Sequence, residues 1–132
     1  MSEENVEIVR QALEALDRRD RAAVVAVFDS DIEVVPSRDW PEPGVRGPEA
    51  VVDWYLQAFD SLQPFRTSDT EYIDAGADKV LLQYRTYVRG SGSGAEVEFR
   101  RWCVVTMRKR KALRHQWFTD RAEALEAAGL SE

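Results

Sequence analysis

The 132 residues of this chain suffice for one domain but not two, and a composition of 44% hydrophobic and 32% charged residues is that of a soluble globular protein. The formal net charge of −6 argues against nucleic-acid binding, which needs a basic surface. No apolar run approaches the roughly 20 residues that span a bilayer, and the acidic, polar N-terminus does not resemble a signal peptide. The single cysteine, Cys103, cannot form an internal disulfide. We therefore expect one cytoplasmic domain over residues 1–132, without a membrane or nucleic-acid partner.

Three helices are predicted in the first half of the chain. Apolar residues recur at helical spacing over residues 3–17, which predicts an amphipathic helix. Asp20 is placed as the N-cap of a second, short helix. Pro48 and Glu49 suit the first turn of a third helix, because proline loses no hydrogen bond there and glutamate faces the positive end of the helix dipole.

The segment between the second and third helices predicts mostly irregular structure. Residues 29–31 indicate a turn, and residues 32–35 a short strand that ends at Pro36. Three prolines and two glycines in residues 36–47 predict an irregular loop around Trp40.

The second half predicts a meander of antiparallel strands. The predicted strands are residues 65–73, 79–88, 95–107 and 113–119, with turns at 74–78, 90–94 and 108–111. A last helix begins after Asp120 and ends before Gly129. Such a sheet must bury one face against the helices, so the pattern predicts an α+β fold in which a curved, mostly antiparallel sheet wraps around the three N-terminal helices.

Several segments together carry a resemblance to a known family. They are the first helix, Ala26-Val27-Phe28-Asp29-Ser30-Asp31, Val45-Arg46-Gly47-Pro48-Glu49 and, most specifically, residues 118–130. The chain resembles the SnoaL-like branch of the nuclear transport factor 2-like (NTF2-like) superfamily. The resemblance implies a cone-shaped barrel that holds a small apolar ligand, and a homodimer joined through the outer sheet faces. The resemblance does not single out one activity, because the superfamily includes ketosteroid isomerase, limonene-epoxide hydrolase, scytalone dehydratase, polyketide cyclases and non-catalytic binding modules.

The family's catalytic residues do not carry over directly. The isomerase's base and oxyanion tyrosine fall near Val35 and Ala12, and its protonated aspartic acid near Trp102 or Cys103. The epoxide hydrolase's aspartate falls near Trp117, and the cyclase's at Asp120 or Trp117. None of the isomerase groups is retained, so the resemblance predicts a fold without naming a reaction.

Strand alternation and the resemblance together nominate a site inside the cone. His115 is a candidate general acid or base because its ordinary pKa lies near neutrality. The alternative is a hydrogen-bonded interior histidine with no catalytic role. Arg101 would hold negative charge or form a structural ion pair with one of the carboxylates of Glu33, Asp39, Asp53 and Asp69. Asp120 is a helix N-cap or a base at the pocket.

Four further residues are placed around the substrate. Trp40, Tyr55 and Trp117 would form walls of the pocket or simply fill the core. Cys103 would lie among them as a substrate contact, as a nucleophile whose pKa a neighbour such as Arg101 lowers, or as an inert buried thiol. With one histidine and one cysteine, we expect neither a metal nor a cofactor.

The opposite sheet face predicts a partner. Trp102, Val104 and Phe118 would be exposed there, and a two-fold interface between sheets would cover them as a homodimer. The expected function is small-molecule binding, with a cofactor-independent cyclase, isomerase or hydrolase reaction on an apolar metabolite as one outcome. The alternative is a non-catalytic ligand-binding or protein-interaction module on the same fold.

Overall fold

The computed structural model of the protein describes residues 2–62, 69–76, 78–89 and 96–130. In these ranges the helices are α1 (Ser2–Asp17), α2 (Arg21–Ala26), α3 (Pro48–Leu62) and α4 (Arg121–Ala128). The strands are β1 (Phe28–Val35), β2 (Val45–Arg46), β3 (Asp69–Asp74), β4 (Lys79–Arg89), β5 (Glu96–Arg108) and β6 (Lys111–Phe118). The start of the predicted strand 65–73 and the predicted loop 90–94 lie outside the described residues. Within the described ranges, no helix combines the length and hydropathy that crossing a membrane requires.

The helix boundaries follow the predicted capping residues. The Asp20 side chain accepts a hydrogen bond from the Ala23 backbone N–H at 3.3 Å at the start of α2. Asp120 occupies the N-cap position of α4, although its side chain makes no capping hydrogen bond. Gly129 ends α4 in the left-handed conformation, with φ of 78°, as glycine commonly does at this position.

The six strands form one mixed sheet in the order β2-β1-β6-β5-β4-β3. β1 runs parallel to β6, and all other neighbours are antiparallel. The sheet is curved around the helices but does not close into a barrel. The predicted α+β cone is confirmed, with an open rather than a closed sheet.

The predicted turn at residues 29–31 was wrong, whereas the predicted strand at residues 32–35 forms the end of β1. Residues 29–31 do not end an element but lie inside β1, whose pairing with β6 shifts register between Phe28 and Glu33. The Asp29 carboxylate accepts from the Asp31 backbone N–H at 2.9 Å and from the Arg108 guanidinium at 2.8 and 3.1 Å. The turn-forming residues therefore make a bulge that Arg108 fastens to β5, instead of a turn.

The predicted irregular loop also contains a short edge strand. β2 pairs with β1 at Glu33–Arg46 and Val34–Val45. Gly44 precedes it because a Cβ at this position would lie 2.0 Å from the Val34 carbonyl oxygen. Two residues are too few to show the alternation by which strands are recognised.

The sheet separates two apolar clusters. The inner cluster joins α1, α2 and α3 to the concave face and includes Val24, Ile32, Val51, Val80, Cys103 and Val105. The outer cluster packs Ala124, Leu125 and Ala128 of α4 against Leu81, Trp102 and Val104. Trp102 is only 8% exposed and Val104 3%, so the predicted exposure of this patch was wrong. The reason is that α4 folds back over it, with Phe118 packed at its margin.

Candidate functional site

Three interior residues meet on the concave face of the sheet. His115 lies on β6 and pairs with Val34 of β1 and Val105 of β5, so it sits in the middle of the sheet. Trp117 follows two residues later on the same face. Tyr55 reaches them from α3, on the apolar stripe that packs this helix against the sheet.

Hydrogen bonds join these three side chains in a chain. The Trp117 Nε1–H donates to the Tyr55 hydroxyl at 3.0 Å, and the Tyr55 hydroxyl lies 2.5 Å from His115 Nδ1. An indole nitrogen can only donate, so the Tyr55 oxygen accepts from Trp117. The phenol can in addition donate its own proton to Nδ1. Nδ1 then accepts, which places the proton of a neutral imidazole on Nε2. We assign this tautomer to His115.

Burial keeps the hydrogen-bonded side chains of this site uncharged. It lowers the pKa of His115 to about 4, because desolvation disfavours the imidazolium. It raises the pKa of Tyr55 well above the usual value, with a further rise from Cys103. At neutral pH the site therefore presents a neutral imidazole and a neutral phenol, and in the assigned tautomer His115 offers its Nε2–H as a donor.

A small cavity adjoins His115. Its volume is about 20 Å³, roughly the space of one water molecule. Tyr55, Trp117 and Leu82 line it from α3 and the sheet, and apolar residues of α1 close the remaining side. The lining is apolar apart from the polar groups of the hydrogen-bonded chain.

Aromatic rings continue outward from this chain. Tyr55 contacts Trp117 at a centroid distance of 6.2 Å, and Trp117 contacts Tyr84 at 6.4 Å. On the other side, Tyr55 contacts Trp54 at 5.0 Å and Trp54 contacts Trp40 at 5.5 Å. These aromatic rings form one connected set, in which Trp40 is three ring contacts away from His115 and does not line the cavity.

Arg101 pairs with a carboxylate of the protein. Its guanidinium donates to Asp39 in the loop before β2, and its side chain is only 19% exposed. Arg101 faces Tyr84 across the β4–β5 pair, on the same side of the sheet as these aromatic rings. Of the two roles considered for Arg101, the geometry displays the structural ion pair.

The structure brings some predicted residues together and separates others. His115, Tyr55 and Trp117 share the cavity, and Cys103 lies beside Trp117 in the β5–β6 register. Burial raises the pKa of the Cys103 thiol well above the usual value, so a buried, protonated thiol is what this position offers. Asp120 is exposed at the start of α4 and does not line the cavity.

Sequence reasoning missed several participants. Trp54, Leu82 and the cavity-lining face of α1 were not nominated, although the helical spacing of Val9, Leu13 and Leu16 predicts that this face is buried. Burial alone did not reveal that this face would border a cavity. Across the described ranges, no three His, Cys, Asp or Glu side chains are grouped so that they could hold a metal.

The comparisons with known proteins agree with this architecture. The SnoaL-like domain family matches residues 9–115. An NTF2-like protein from Burkholderia xenovorans superposes with a TM-score of 0.71 at 24% identity, over 97% of each chain. No curated protein matches at a significant level.

Two more distant structures contain small molecules. TerC, crystallised with polyporic acid, superposes with a TM-score of 0.68 at 18% identity over 96% of this chain and 98% of its own. A Mycobacterium tuberculosis protein in complex with estradiol-17β-hemisuccinate superposes with a TM-score of 0.69 at 15% identity over 89% of this chain and 95% of its own. At these identities the superpositions show a common NTF2-like fold. Because the family match spans most of the sequence, the chain belongs to the SnoaL-like domain family.

Proposed function

We propose that this protein binds a small, largely apolar molecule that carries a hydrogen-bond acceptor such as a carbonyl oxygen. The observation that carries the proposal is the hydrogen-bonded chain from Trp117 through Tyr55 to His115. In the tautomer that accepts from Tyr55, the Nε2–H of this buried histidine is the donor that a ligand can use. A buried donor of this kind is satisfied by a ligand acceptor or by water.

Two features support a ligand inside the cone. The walls around His115 are apolar and aromatic, which is the usual lining of small-molecule sites. TerC and the Mycobacterium tuberculosis protein, which share the fold, were crystallised with organic molecules. The cavity of about 20 Å³ is smaller than such a molecule, so binding requires side chains around it to move apart.

An enzymatic role is the second candidate. A neutral histidine donor can polarise a carbonyl group in a cyclase, isomerase or hydrolase reaction. General base catalysis by His115 is disfavoured, because its pKa of about 4 makes it a weak base and its bonded partner is Tyr55 rather than a carboxylate. The geometry therefore favours binding, with carbonyl polarisation as the chemistry to test next.

A matched pair of probes tests the proposal. 4-Phenyl-2-butanone offers a carbonyl oxygen, and butylbenzene has a similar apolar body without an acceptor. One hydrogen bond of about 1 kcal/mol predicts that the ketone binds roughly five- to tenfold more tightly, measured by quenching of tryptophan fluorescence and by NMR shifts of His115.

The variant His115→Phe separates two contributions to the binding free energy, that of the hydrogen bond to the ligand's acceptor and that of the apolar contacts. It keeps an aromatic ring but removes the Nε2–H, so we expect it to bind the two probes with equal affinity. Ile73→Ala, on the outer sheet face, serves as the control and should keep the preference for the ketone. Equal affinities in the unmodified protein would contradict the assignment of His115 as the donor.

We also propose that the chain forms a homodimer through the outer sheet face. Because α4 covers Trp102, the available surface lies further along β3, β4 and β5, where Arg85, Arg100 and the 38% exposed Ile73 are found. Light scattering coupled to size-exclusion chromatography tests this, and a monomer at tens of micromolar would refute it. The variant Arg100→Glu, at this face, should weaken the dimer without altering ligand binding.

A further inference from the structure

Two separate voids in the described part of the structure have one residue in common. The inner cavity of about 20 Å³ adjoins His115, and a wider groove of about 260 Å³ lies between α1, β3 and β4. Leu13 of α1 lines both of them. The Leu13 side chain is thus part of the partition between the groove and the cavity.

The sheet contributes the other side of this partition. Tyr84 lines the groove, Trp117 lines the cavity, and their rings meet edge to face at 6.4 Å. Tyr84 and Trp117 project from β4 and β6, central strands of the sheet, whereas Leu13 projects from a helix and is only partly buried. A leucine side chain changes rotamer at a small cost in free energy. Two rings packed edge to face cannot move without displacing each other. Leu13 is therefore the movable part of the partition.

The groove differs in chemistry from the cavity. The Arg10 guanidinium lies over the Tyr72 ring at 5.2 Å, and Glu14 and Asp17 line the same groove. Burial raises the pKa of both Asp17 and Tyr72, so these side chains are partly withdrawn from water. Hydroxyl or amide groups would find both donors and acceptors here, whereas a carboxylate would meet two acidic side chains.

We propose that Leu13 is a gate, and that the ligand reaches His115 from the α1–β3–β4 groove. The inference rests on the proposed function and adds the shape of the ligand to it. The ligand is elongated, with an apolar end that carries the acceptor beside His115 and a neutral polar end, such as a hydroxyl or amide, in the groove. Opening the gate joins the two voids into a single site.

Variants at Leu13 change the gate in opposite directions. Leu13→Ala shortens the side chain and should raise the association rate for 4-phenyl-2-butanone about tenfold in stopped-flow tryptophan fluorescence. Leu13→Trp fills the passage and should lower that rate at least tenfold. Leu56→Ala is the matched control, because Leu56 is also a partly buried helical leucine packed on the inner core but lines neither void. Its association rate should equal that of the unmodified protein, and circular dichroism verifies that each variant is folded.

A second probe tests the chemistry of the groove. 4-(4-Hydroxyphenyl)-2-butanone carries a neutral hydroxyl at the far end, and the analogue with a carboxylate at the same position carries a charge. We expect the hydroxyl compound to bind at least tenfold more tightly than the carboxylate analogue. It should also shift the NMR signals of both Tyr72 and His115.

The outcomes separate the gate from the function. Equal association rates in Leu13→Ala, Leu13→Trp and the unmodified protein, with ketone binding intact, would overturn the gate and leave the proposed function standing. A ketone that shifts no residue of the cavity in any variant would overturn both.

Discussion

The two faces of this sheet are built from alternate residues of the same strands, yet they carry different chemistry. On the outer face, Trp102 and Val104 of β5 are sealed beneath α4, and the Trp102 indole donates to Gln83 at 3.3 Å. On the inner face, Cys103 lies near the hydrogen-bonded chain that ends at His115. The part of the outer face beneath α4 is an apolar core that fixes this helix, whereas the inner face combines a core with a buried polar chain and a cavity. We infer that the outer face mainly stabilises the fold and the inner face serves binding.

The largest expected effect tests the stabilising role of the outer face. Trp102→Ala leaves a large cavity under α4 and should lower the free energy of unfolding by about 3–5 kcal/mol, measured by urea denaturation. Ile73→Ala is the control on the same face: Ile73 is 38% exposed, and we expect a loss below about 1 kcal/mol. Comparable losses in the two variants would mean that α4 does not seal this face in solution.

The pH dependence of stability tests the inner face. The pKa of His115 is about 4 in the folded protein and about 6.5 in an unfolded chain, so the unfolded state binds the proton more strongly. Stability is therefore lost as the pH falls from about 6.5 towards 4. Between pH 8 and pH 5 this group alone should lower the free energy of unfolding by about 2 kcal/mol.

A variant isolates the histidine from other titrating groups. His115→Gln can accept the hydrogen bond from Tyr55 but does not titrate, so its stability should fall less steeply between pH 8 and pH 5. Urea denaturation at several pH values gives the difference between the two proteins. If this difference stays constant with pH, His115 is not buried as a neutral side chain.

The hydroxyl of Tyr55 provides the next largest effect. Tyr55→Phe removes the group that accepts from Trp117 and donates to His115, so two buried nitrogens lose their partner. The loss should be about 1–2 kcal/mol of unfolding free energy. Tyr72→Phe is the control, because the described structure gives its hydroxyl no hydrogen bond, and a change below about 0.5 kcal/mol is expected. Similar losses in both variants would remove the hydrogen-bonded chain as a distinct feature.

The sequence predicts much of this fold because its signals are local. Helical spacing, Asp20, Pro48 and Gly129 mark the helices, and alternation places His115 and Trp117 on the same face. The failures concern long-range contacts. Arg108 turns residues 29–31 into a bulge from 77 to 79 positions away, and α4 covers Trp102 only because the chain folds back.

The site was predictable in part for the same reason. Strand alternation and the resemblance predict His115, Tyr55 and Trp117 as site residues. No spacing rule predicts that Tyr55 forms a hydrogen bond with a histidine 60 residues later. Arg101 could be matched with Asp39 only as one of several carboxylates. The cavity and its shared border at Leu13 depend on how α1 rests on the sheet, which the sequence pattern does not specify.

The smallest expected effect comes from the β5–β6 turn, which lies outside both the inner and the outer cluster. Lys109 and Arg110 have φ angles of 50° and 65°, a left-handed conformation that side chains other than Asn, Asp and Gly adopt at a cost. Two-residue hairpin turns of this kind favour Asn-Gly, so the double variant Lys109→Asn, Arg110→Gly should raise the free energy of unfolding by about 1 kcal/mol. Because the change lies outside both clusters, the pH dependence due to His115 and the affinity for the ketone should remain as they are. A gain in stability accompanied by a changed pH dependence would show that the two faces are coupled through the hairpin.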